Sequence, residues 1–205
     1  MSSLGSPNPF FIAGKKAYEV ERSLRFNDND SAELNKTFSS AGNRKKWTWS
    51  AWVKRTKLAT QEIIFQANNS GSLTSFYFNS ADTALFLIGG GTIVFQTASK
   101  FRDPSSWMHL VLAVDTTQST AFDRIKFYVN GVKLTSDQYS TSPAPSINTQ
   151  YEFNNACAHY FGGTTYGYAN SYMADVHFVD GQALAPTDFG EFDDNNVWQA
   201  KAYSG

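Results

Sequence analysis

The feature that most constrains this chain is a two-residue alternation of apolar and polar side chains in short runs. It is clearest at residues 47–54 (WTWSAWVK), where Trp47 and Trp49 alternate with Thr48 and Ser50. Successive side chains of a β-strand point to opposite faces, so this pattern predicts a strand with one face in a core. Further apolar, β-branched and aromatic runs occur at residues 62–67, 75–79, 84–88, 92–96, 107–115, 125–129 and 173–180.

Helical patterns are nearly absent from the chain, and a single helical turn is predicted near Pro186. Asn130-Gly131 stands between two apolar runs and predicts a tight two-residue hairpin, because these residues accept positive φ. The polar stretch 136–148 predicts a long loop inside the domain. Many short strands separated by turn signals predict an all-β fold, either a two-sheet sandwich or a barrel.

The chain divides into an arm, a domain and a tail. Residues 1–17 are rich in Pro, Gly and Ser and predict an extended N-terminal arm. Residues 18–198 are predicted to form one sandwich domain, and residues 199–205 a C-terminal tail. An exposed apolar cluster needs a partner, either this domain's own surface or another subunit. We therefore expect assembly contacts at the apolar cluster of the arm, which is Phe10, Phe11 and Ile12.

The charge balance limits the partners of this protein. The chain has 17 Lys and Arg against 18 Asp and Glu, whereas a protein that binds phosphate backbones needs a basic excess. No nucleic-acid partner is expected, and the basic run at residues 44–46 is interpreted as a solvated turn. No apolar stretch approaches the roughly 18 residues of a membrane helix, so membrane insertion is not expected. The single cysteine, Cys157, excludes an intrachain disulfide and is interpreted as a small buried residue.

Several segments match a family pattern in their order and spacing. Residues 23–27 (SLRFN), 47–54, 107–115 with 127–131 (FYVNG), and 161–163 with 173–178 (MADVHF) resemble successive strands of laminin G-like, concanavalin A-like jelly-roll domains. Met173-Ala174 stands where this family usually has a Gly-hydrophobic pair. The resemblance spans residues 20–190 or so and implies an antiparallel jelly-roll sandwich of two sheets.

A narrower resemblance concerns the two ends. Residues 8–11 (NPFF), 18–21 (YEVE) and 181–190 (GQALAPTDFG) are similar to segments of virion proteins from marine tailed bacteriophages, where such jelly rolls occur in tail fibres and capsid-attached proteins. It implies a non-enzymatic structural or surface protein, made in the host cytoplasm and located on the outer surface of the capsid or tail. Its partners would be other virion subunits. Since such assemblies are symmetric, a homo-oligomer, for example a trimer, is expected.

Two alternatives stay open, because such jelly rolls also include lectin-like modules that bind host glycans, and glycoside hydrolases or polysaccharide lyases. A retaining hydrolase needs two carboxylates about 5 Å apart, which a Glu-x-Asp-x-x-Glu strand would supply. The closest string, residues 191–194 (EFDD), is interpreted as a solvated turn. Asp175 and His177 share a strand face, but the resemblance implies a structural role for the aspartate. No catalytic residue is therefore predicted.

Ligand binding is predicted for a tyrosine-rich loop. Loop Tyr and Asn side chains supply stacking surfaces and hydrogen bonds for a sugar or a protein, and the candidates are Tyr166, Tyr168, Asn170 and Tyr172. Oxygen ligands of the kind that Ca²⁺ prefers occur at Asp28, Asn29 and Asp30. That string lacks the length and glycine of an EF-hand loop, so a polar turn is favoured over a Ca²⁺ site, and no other cofactor is expected. No local metal motif is formed by the histidines, which are His109, His159 and His177.

Overall fold

The computed structural model describes residues 18–88, 91–164 and 166–205. The predicted arm, with Phe10, Phe11 and Ile12, lies outside the described residues. The strands are β1 (Leu24–Phe26), β2 (Leu34–Thr37), β3 (Lys46–Arg55), β4 (Glu62–Asn69), β5 (Ser72–Phe78), β6 (Ala84–Ile88), β7 (Thr92–Thr97), β8 (Met108–Asp115), β9 (Ile125–Val129), β10 (Val132–Lys133), β11 (Tyr139–Thr141), β12 (Ala158–Phe161), β13 (Gly163–Thr164), β14 (Gly167–Tyr168), β15 (Ser171–Asp180), β16 (Gly190–Phe192) and β17 (Trp198–Ala200). Single 3₁₀ turns occur at Asp28–Asp30, Ala121–Asp123, Ser136–Gln138 and Pro186–Asp188.

Two antiparallel sheets form the body of the fold. The six-stranded sheet has the order β1-β15-β3-β8-β9-β10, and the seven-stranded sheet has the order β11-β7-β6-β5-β4-β12-β2. Small hairpins join β13 to β14 and β16 to β17. The predicted all-β sandwich of two antiparallel sheets is confirmed.

Aromatic side chains from both sheets fill the space between them. Trp49 on β3 stacks on Phe65 of β4, with ring centroids 6.4 Å apart. Phe65 stacks on Phe153 at 4.2 Å, and Trp47 meets Phe153 edge-on at 5.3 Å. Pairs of this geometry contribute about 0.5–1.5 kcal/mol each beyond the burial of their area. The inner face of β3 is therefore the apolar set that the alternation predicted.

The alternation predicts that the polar face of β3 is exposed, but Thr48 and Ser50 on that face are fully buried. Thr48 is covered by a segment that we call the C-terminal strap, residues 181–203, whereas Ser50 bonds to the buried His109 ring. The Thr48 hydroxyl donates to the carbonyl of Gln182 at 2.7 Å and accepts from the amide of Leu184 at 2.8 Å. The strap includes β17, so Gln199 and Ala200 of the predicted tail are strand residues here. The local alternation could not show that a distant segment would bury the polar face.

The stretch 136–148 also differs from its prediction as a loop. It contains the 3₁₀ turn and β11, which pairs with β7 at the edge of the seven-stranded sheet. Tyr139 explains the difference, since its ring is buried against Phe95 and Phe122, with centroids 5.6 and 6.0 Å away. One buried aromatic residue thus orders a short strand within a polar sequence.

The predicted Asn130-Gly131 hairpin is confirmed. Val132 pairs with Val129 across a two-residue turn in which φ is 49° at Asn130 and 80° at Gly131. Gly131 has a second reason to lack a side chain, because a Cβ there would collide with the Trp198 ring of the C-terminal strap. The Asn130-Gly131 turn is therefore also in contact with the strap.

A buried charge cluster connects the two sheets at one end of the sandwich. Arg55, at the end of β3, is fully buried and pairs with Glu62 of β4 at 3.1 Å and with Asp82 at 3.2 Å. Its guanidinium also lies over the Phe78 ring, 4.6 Å from the centroid. Burial raises the pKa of Glu62 to about 7 and outweighs the opposing effect of Arg55. Arg102 pairs with Asp82 from the solvent side at 2.9 Å.

We expect the buried and the exposed arginine of this cluster to contribute very different amounts to stability. Arg55→Met leaves Glu62 in the interior without a cation and leaves Asp82 with Arg102 alone. It should cost about 3–5 kcal/mol of unfolding free energy. The control Arg102→Met removes a half-exposed partner of the same carboxylate and should cost about 1 kcal/mol or less. Urea unfolding of both variants measures the difference, and equal losses would contradict the interpretation.

Candidate functional site

A groove at the edge of the seven-stranded sheet brings three tyrosines together. We call it the rim groove; its volume is about 440 Å³, and it is lined by Ser31, Glu33, Asn68, Tyr160, Thr164, Tyr166 and Tyr168. Tyr160 comes from β12, which lies between β2 and β4, and Tyr168 belongs to the β13–β14 hairpin. Glu33 precedes β2, and Asn68 lies near the end of β4. The groove therefore combines aromatic rings with a carboxylate, an amide and two hydroxyl groups.

A buried polar chain holds the hairpin that carries two of these tyrosines. The Thr164 hydroxyl donates to Gln66 Oε1 at 2.6 Å, and Gln66 Nε2 donates to the Ser75 hydroxyl at 2.8 Å. The backbone amide of Tyr166 donates to Thr164 Oγ1, and Gln61 donates to the Tyr166 carbonyl at 2.8 Å. These bonds fix the backbone of the hairpin and leave the tyrosine rings on the surface.

The structure divides the four predicted ligand-binding residues between different places. Tyr166 and Tyr168 line the rim groove. Asn170 donates to Asp28 Oδ1 at 2.6 Å and accepts from the Thr56 hydroxyl at 2.9 Å. Tyr172 lies on the outer face of the six-stranded sheet, beside Trp107 at 6.4 Å and Arg25 at 5.9 Å. The four residues therefore do not form one site, and ligand binding by each stays a prediction.

Three further residues of the rim groove were not predicted from the sequence, namely Glu33, Asn68 and Tyr160. Each comes from a different strand or strand end, and they meet only because β12 pairs with both β2 and β4. A four-residue strand such as β12 carries no signal for its partners.

The acidic string considered for Ca²⁺ forms a compact polar turn. Asp28 binds Lys57 as well as Asn170, and its pKa is lowered first of all by the hydrogen bond from Lys57. The Asn27 amide donates to Asp30 Oδ2 at 2.6 Å. Across the described ranges, no three His, Cys, Asp or Glu side chains lie close enough to hold a metal ion. Residues 27–30 therefore form a hydrogen-bonded polar turn, and the preference for a turn over a Ca²⁺ site stays a prediction.

A second groove lies on the outer face of the six-stranded sheet. We call it the face groove; it measures about 360 Å³, and its lining includes Tyr18, Trp52, Trp107, Ala174 and Gln199. Nearby, Asp175 has φ of 49° within an irregularity of β15, and its Oδ1 lies 3.1 Å from His177 Nε2. Tyr18 donates to the same oxygen at 3.3 Å. Asp175 therefore lies within contact distance of both His177 and Tyr18.

Two other histidines are buried in hydrogen-bond networks. His109 lies between Ser50, at 2.9 Å from Nε2, and Trp198, at 3.0 Å from Nδ1. Burial lowers the pKa of His109 to about 4, with a smaller contribution from the charge of His177. His159 accepts from the Asn154 amide at 3.0 Å, and burial lowers its pKa as well. Both rings are therefore part of the packed and hydrogen-bonded interior.

The basic run is more ordered than a solvated turn. Arg44 donates to the carbonyl of Tyr151 at 2.6 Å and pairs with Glu152 at 3.2 Å. Lys46 begins β3 and pairs with Asp115 at 3.3 Å. These lysine and arginine charges are used within the fold. Cys157 is buried as predicted, and burial raises the pKa of its thiol.

A match to a protein-family model shows the superfamily of this chain. The model of the concanavalin A-like lectin/glucanases superfamily, of the laminin G type, matches residues 26–188. The chain belongs to this superfamily. The laminin G-like resemblance seen in the sequence is therefore confirmed. No curated protein matches the sequence. In the described part of the chain, no helix is long and apolar enough to cross a membrane.

Solved structures with a similar fold share little sequence with this member of the superfamily. A heptameric SAP-like pentraxin from Limulus polyphemus is 14% identical, with a TM-score of 0.55 over 80% of this chain and 77% of that chain. Domains LG4-5 of the mouse laminin alpha1 chain are 13% identical, with a TM-score of 0.56 over 98% of this chain and 50% of that chain. A Trypanosoma rangeli sialidase in complex with the inhibitor DANA is 16% identical, with a TM-score of 0.58 over 83% of this chain and 27% of that chain. At these identities the likeness shows the fold alone.

The buried polar chain yields a test of how the rim groove is held. Gln66→Leu removes both hydrogen bonds of the Gln66 side chain. The Thr164 hydroxyl then lacks its acceptor, and the Ser75 hydroxyl lacks its donor. We expect a loss of about 1–3 kcal/mol of unfolding free energy and faster amide exchange in residues 162–168. The control Gln61→Leu removes one bond at the surface and should cost less than about 1 kcal/mol. Unchanged exchange in residues 162–168 of Gln66→Leu would count against the role of the chain.

Proposed function

We propose that this chain is a non-enzymatic recognition domain of a virion surface and that it binds host-cell glycans through the rim groove. The observation that carries the glycan part is the composition of the groove: three tyrosine rings beside Glu33 and Asn68. Binding sites for small ligands combine apolar or aromatic walls with a few polar groups that fix orientation. A sugar ring presents such a mixture, with C–H groups on its faces and hydroxyl groups at its edges.

The tyrosine side chains are available for a ligand. Within the described residues, the hydroxyls of Tyr160, Tyr166 and Tyr168 make no hydrogen bond to another residue, and Tyr166 is 55% exposed. Tyrosine supplies a large contact area with two torsion angles to fix, so ordering it costs little entropy. Glu33 is the ionisable carboxylate of the groove, and it would repel acidic sugars. A neutral glycan is the ligand that fits this chemistry.

The use of the carboxylates supports a role without catalysis. Glu62 and Asp82 are paired with Arg55, Asp115 with Lys46, and Glu152 with Arg44. Asp180 accepts from Asn43 at 2.8 Å and also accepts from Asn154. A glycoside hydrolase needs two carboxyl groups that face the sugar bond together. Carboxylates that hold structure are poor candidates for that task.

The virion part of the proposal rests on the sequence resemblance of residues 8–11, 18–21 and 181–190 to phage virion proteins. In such an assembly the sandwich would present its rim outward, and residues 1–17 would contact other virion subunits. The apolar side chains Phe10, Phe11 and Ile12 are suited to burial against a neighbour. A homo-oligomer, such as a trimer, would repeat the rim groove and raise its avidity for a cell surface.

Tyr168→Ala tests the glycan site. We expect binding to neutral glycans on an array to weaken at least tenfold, because truncation of one central aromatic side chain commonly costs more than about 1.4 kcal/mol. The control Tyr128→Ala alters a half-buried tyrosine of β9 on the other sheet and should bind normally. Absence of binding by the unaltered protein would refute the glycan role. Release of reducing sugar from marine polysaccharides would instead establish a hydrolase.

Electron microscopy of intact particles tests the virion role. Gold-labelled antibodies against the purified domain should mark the outer surface of a capsid or tail. Deletion of residues 1–17 should abolish incorporation, while circular dichroism shows that the sandwich still folds. Particles that never carry the label would exclude the location, and incorporation of the truncated chain would exclude the contact role of the arm.

A further inference from the structure

One buried histidine lies at the contact between the C-terminal strap and the six-stranded sheet. His109 is 1% exposed and lies on the outer face of β8. Its ring stacks on Trp52 of β3, with centroids 5.1 Å apart, and the Trp198 ring of the strap has its centroid 5.9 Å away. Phe189 of the strap is 6.5 Å away. The imidazole therefore fills the interface between the sheet and the strap.

The two hydrogen bonds of the ring determine where its proton resides. The indole nitrogen of Trp198 is a donor only, so Nδ1 of His109, at 3.0 Å, must accept. The proton of the neutral ring is therefore on Nε2, which donates to the Ser50 hydroxyl at 2.9 Å. A second proton on Nδ1 would point at the indole N–H and would place a positive charge among aromatic rings. The closed strap is thus compatible with neutral His109 only.

The other ionisable groups near this interface do not relieve that conflict. The charge of His177 on β15 lowers the pKa of His109 further. The His177 ring itself packs against Phe189 and Tyr203 of the strap. Asp175 pairs with His177. On the strap, Asp188 and Asp193 accept from backbone amides of the strap itself. None of these carboxylates is among the hydrogen-bond partners of His109 in the described residues.

We propose that His109 is an acid-sensitive latch, which releases the C-terminal strap from the six-stranded sheet when its imidazole takes up a second proton. Thr48 keeps residues 182–184 attached, and the part from Phe189 onward moves away. Opening uncovers Ser50 and Trp52 and removes Gln199 and Ala200 from the face groove. The latch does not depend on glycan binding at the rim groove.

The pKa of His109 determines the size and the direction of the effect. In the closed state the pKa is lowered from 6.5 to about 4, whereas in an open strap the ring would titrate normally. A lowered histidine pKa stabilises the closed state above pH 6.5, and this contribution is lost as the pH falls from 6.5 towards 4. Between pH 7.5 and pH 5 the equilibrium constant for opening should rise about 30-fold.

Hydrogen exchange of the Trp198 indole proton, followed by nitrogen-edited NMR, measures this opening. The rate is divided by that of free tryptophan at the same pH, and Trp198→Phe identifies the signal. In the unaltered protein we expect protection of this proton to fall about 30-fold from pH 7.5 to pH 5. The buried Trp47 indole, in the core, should keep its protection. A parallel loss at Trp47 would mean global unfolding and would overturn the latch.

His109→Gln and His159→Gln form a matched pair of variants. Glutamine can accept from Trp198 and donate to Ser50 without titrating, so His109→Gln should show less than about a threefold change in corrected protection. His159→Gln alters a buried histidine elsewhere, so the protection of the Trp198 indole proton should still fall by about the full 30-fold. A full change in His109→Gln would overturn the proposal. If His109→Gln does not fold, the ring signal of His109 in the unaltered protein decides. Protonation of the ring near the ordinary pKa of 6.5 while Trp198 keeps its protection would overturn the latch.

Discussion

Burial of β3 on both faces is the constraint on which the rest of the structure depends. Its inner tryptophans join the aromatic core. On its outer face, Thr48 holds the C-terminal strap and Ser50 bonds to His109. At its end, Arg55 connects the two sheets through buried carboxylates. β3 also lies between β15 and β8, so four kinds of contact converge on ten residues. A strand held in this way gives the edges of the sandwich a rigid base.

The rim groove depends on that base through strand pairing. β12 is joined to β4 on one side and to β2 on the other, and this brings Tyr160 towards Glu33 and Asn68. The Gln66 side chain then fixes the hairpin of Tyr166 and Tyr168 from beneath. The groove is assembled by backbone pairing and buried amide contacts, while the side chains that would meet a ligand make few internal bonds. This division is common in recognition loops on rigid scaffolds.

Local features of the structure were predictable from the sequence, and long-range ones were not. The inner face of β3 and the Asn130-Gly131 turn follow from patterns a few residues long. Tyr166 and Tyr168 were found because they are neighbours in the chain. Burial of Thr48, by contrast, comes from a segment 134 residues later, and no local pattern carries that information. Asn170 was predicted as a ligand residue, but it is hydrogen-bonded to Asp28, which lies 142 residues earlier in the chain.

The scarcity of internal bonds at the rim has a consequence for how the protein could diversify. Tyr160, Tyr166 and Tyr168 could be exchanged for other residues at little cost to folding, because Gln66 and Thr164 position the backbone beneath them. Thr48 and Ser50 have the look of ordinary surface residues, yet they are as constrained as the tryptophans beside them. Folding should therefore tolerate substitutions at the rim better than substitutions on the polar face of β3.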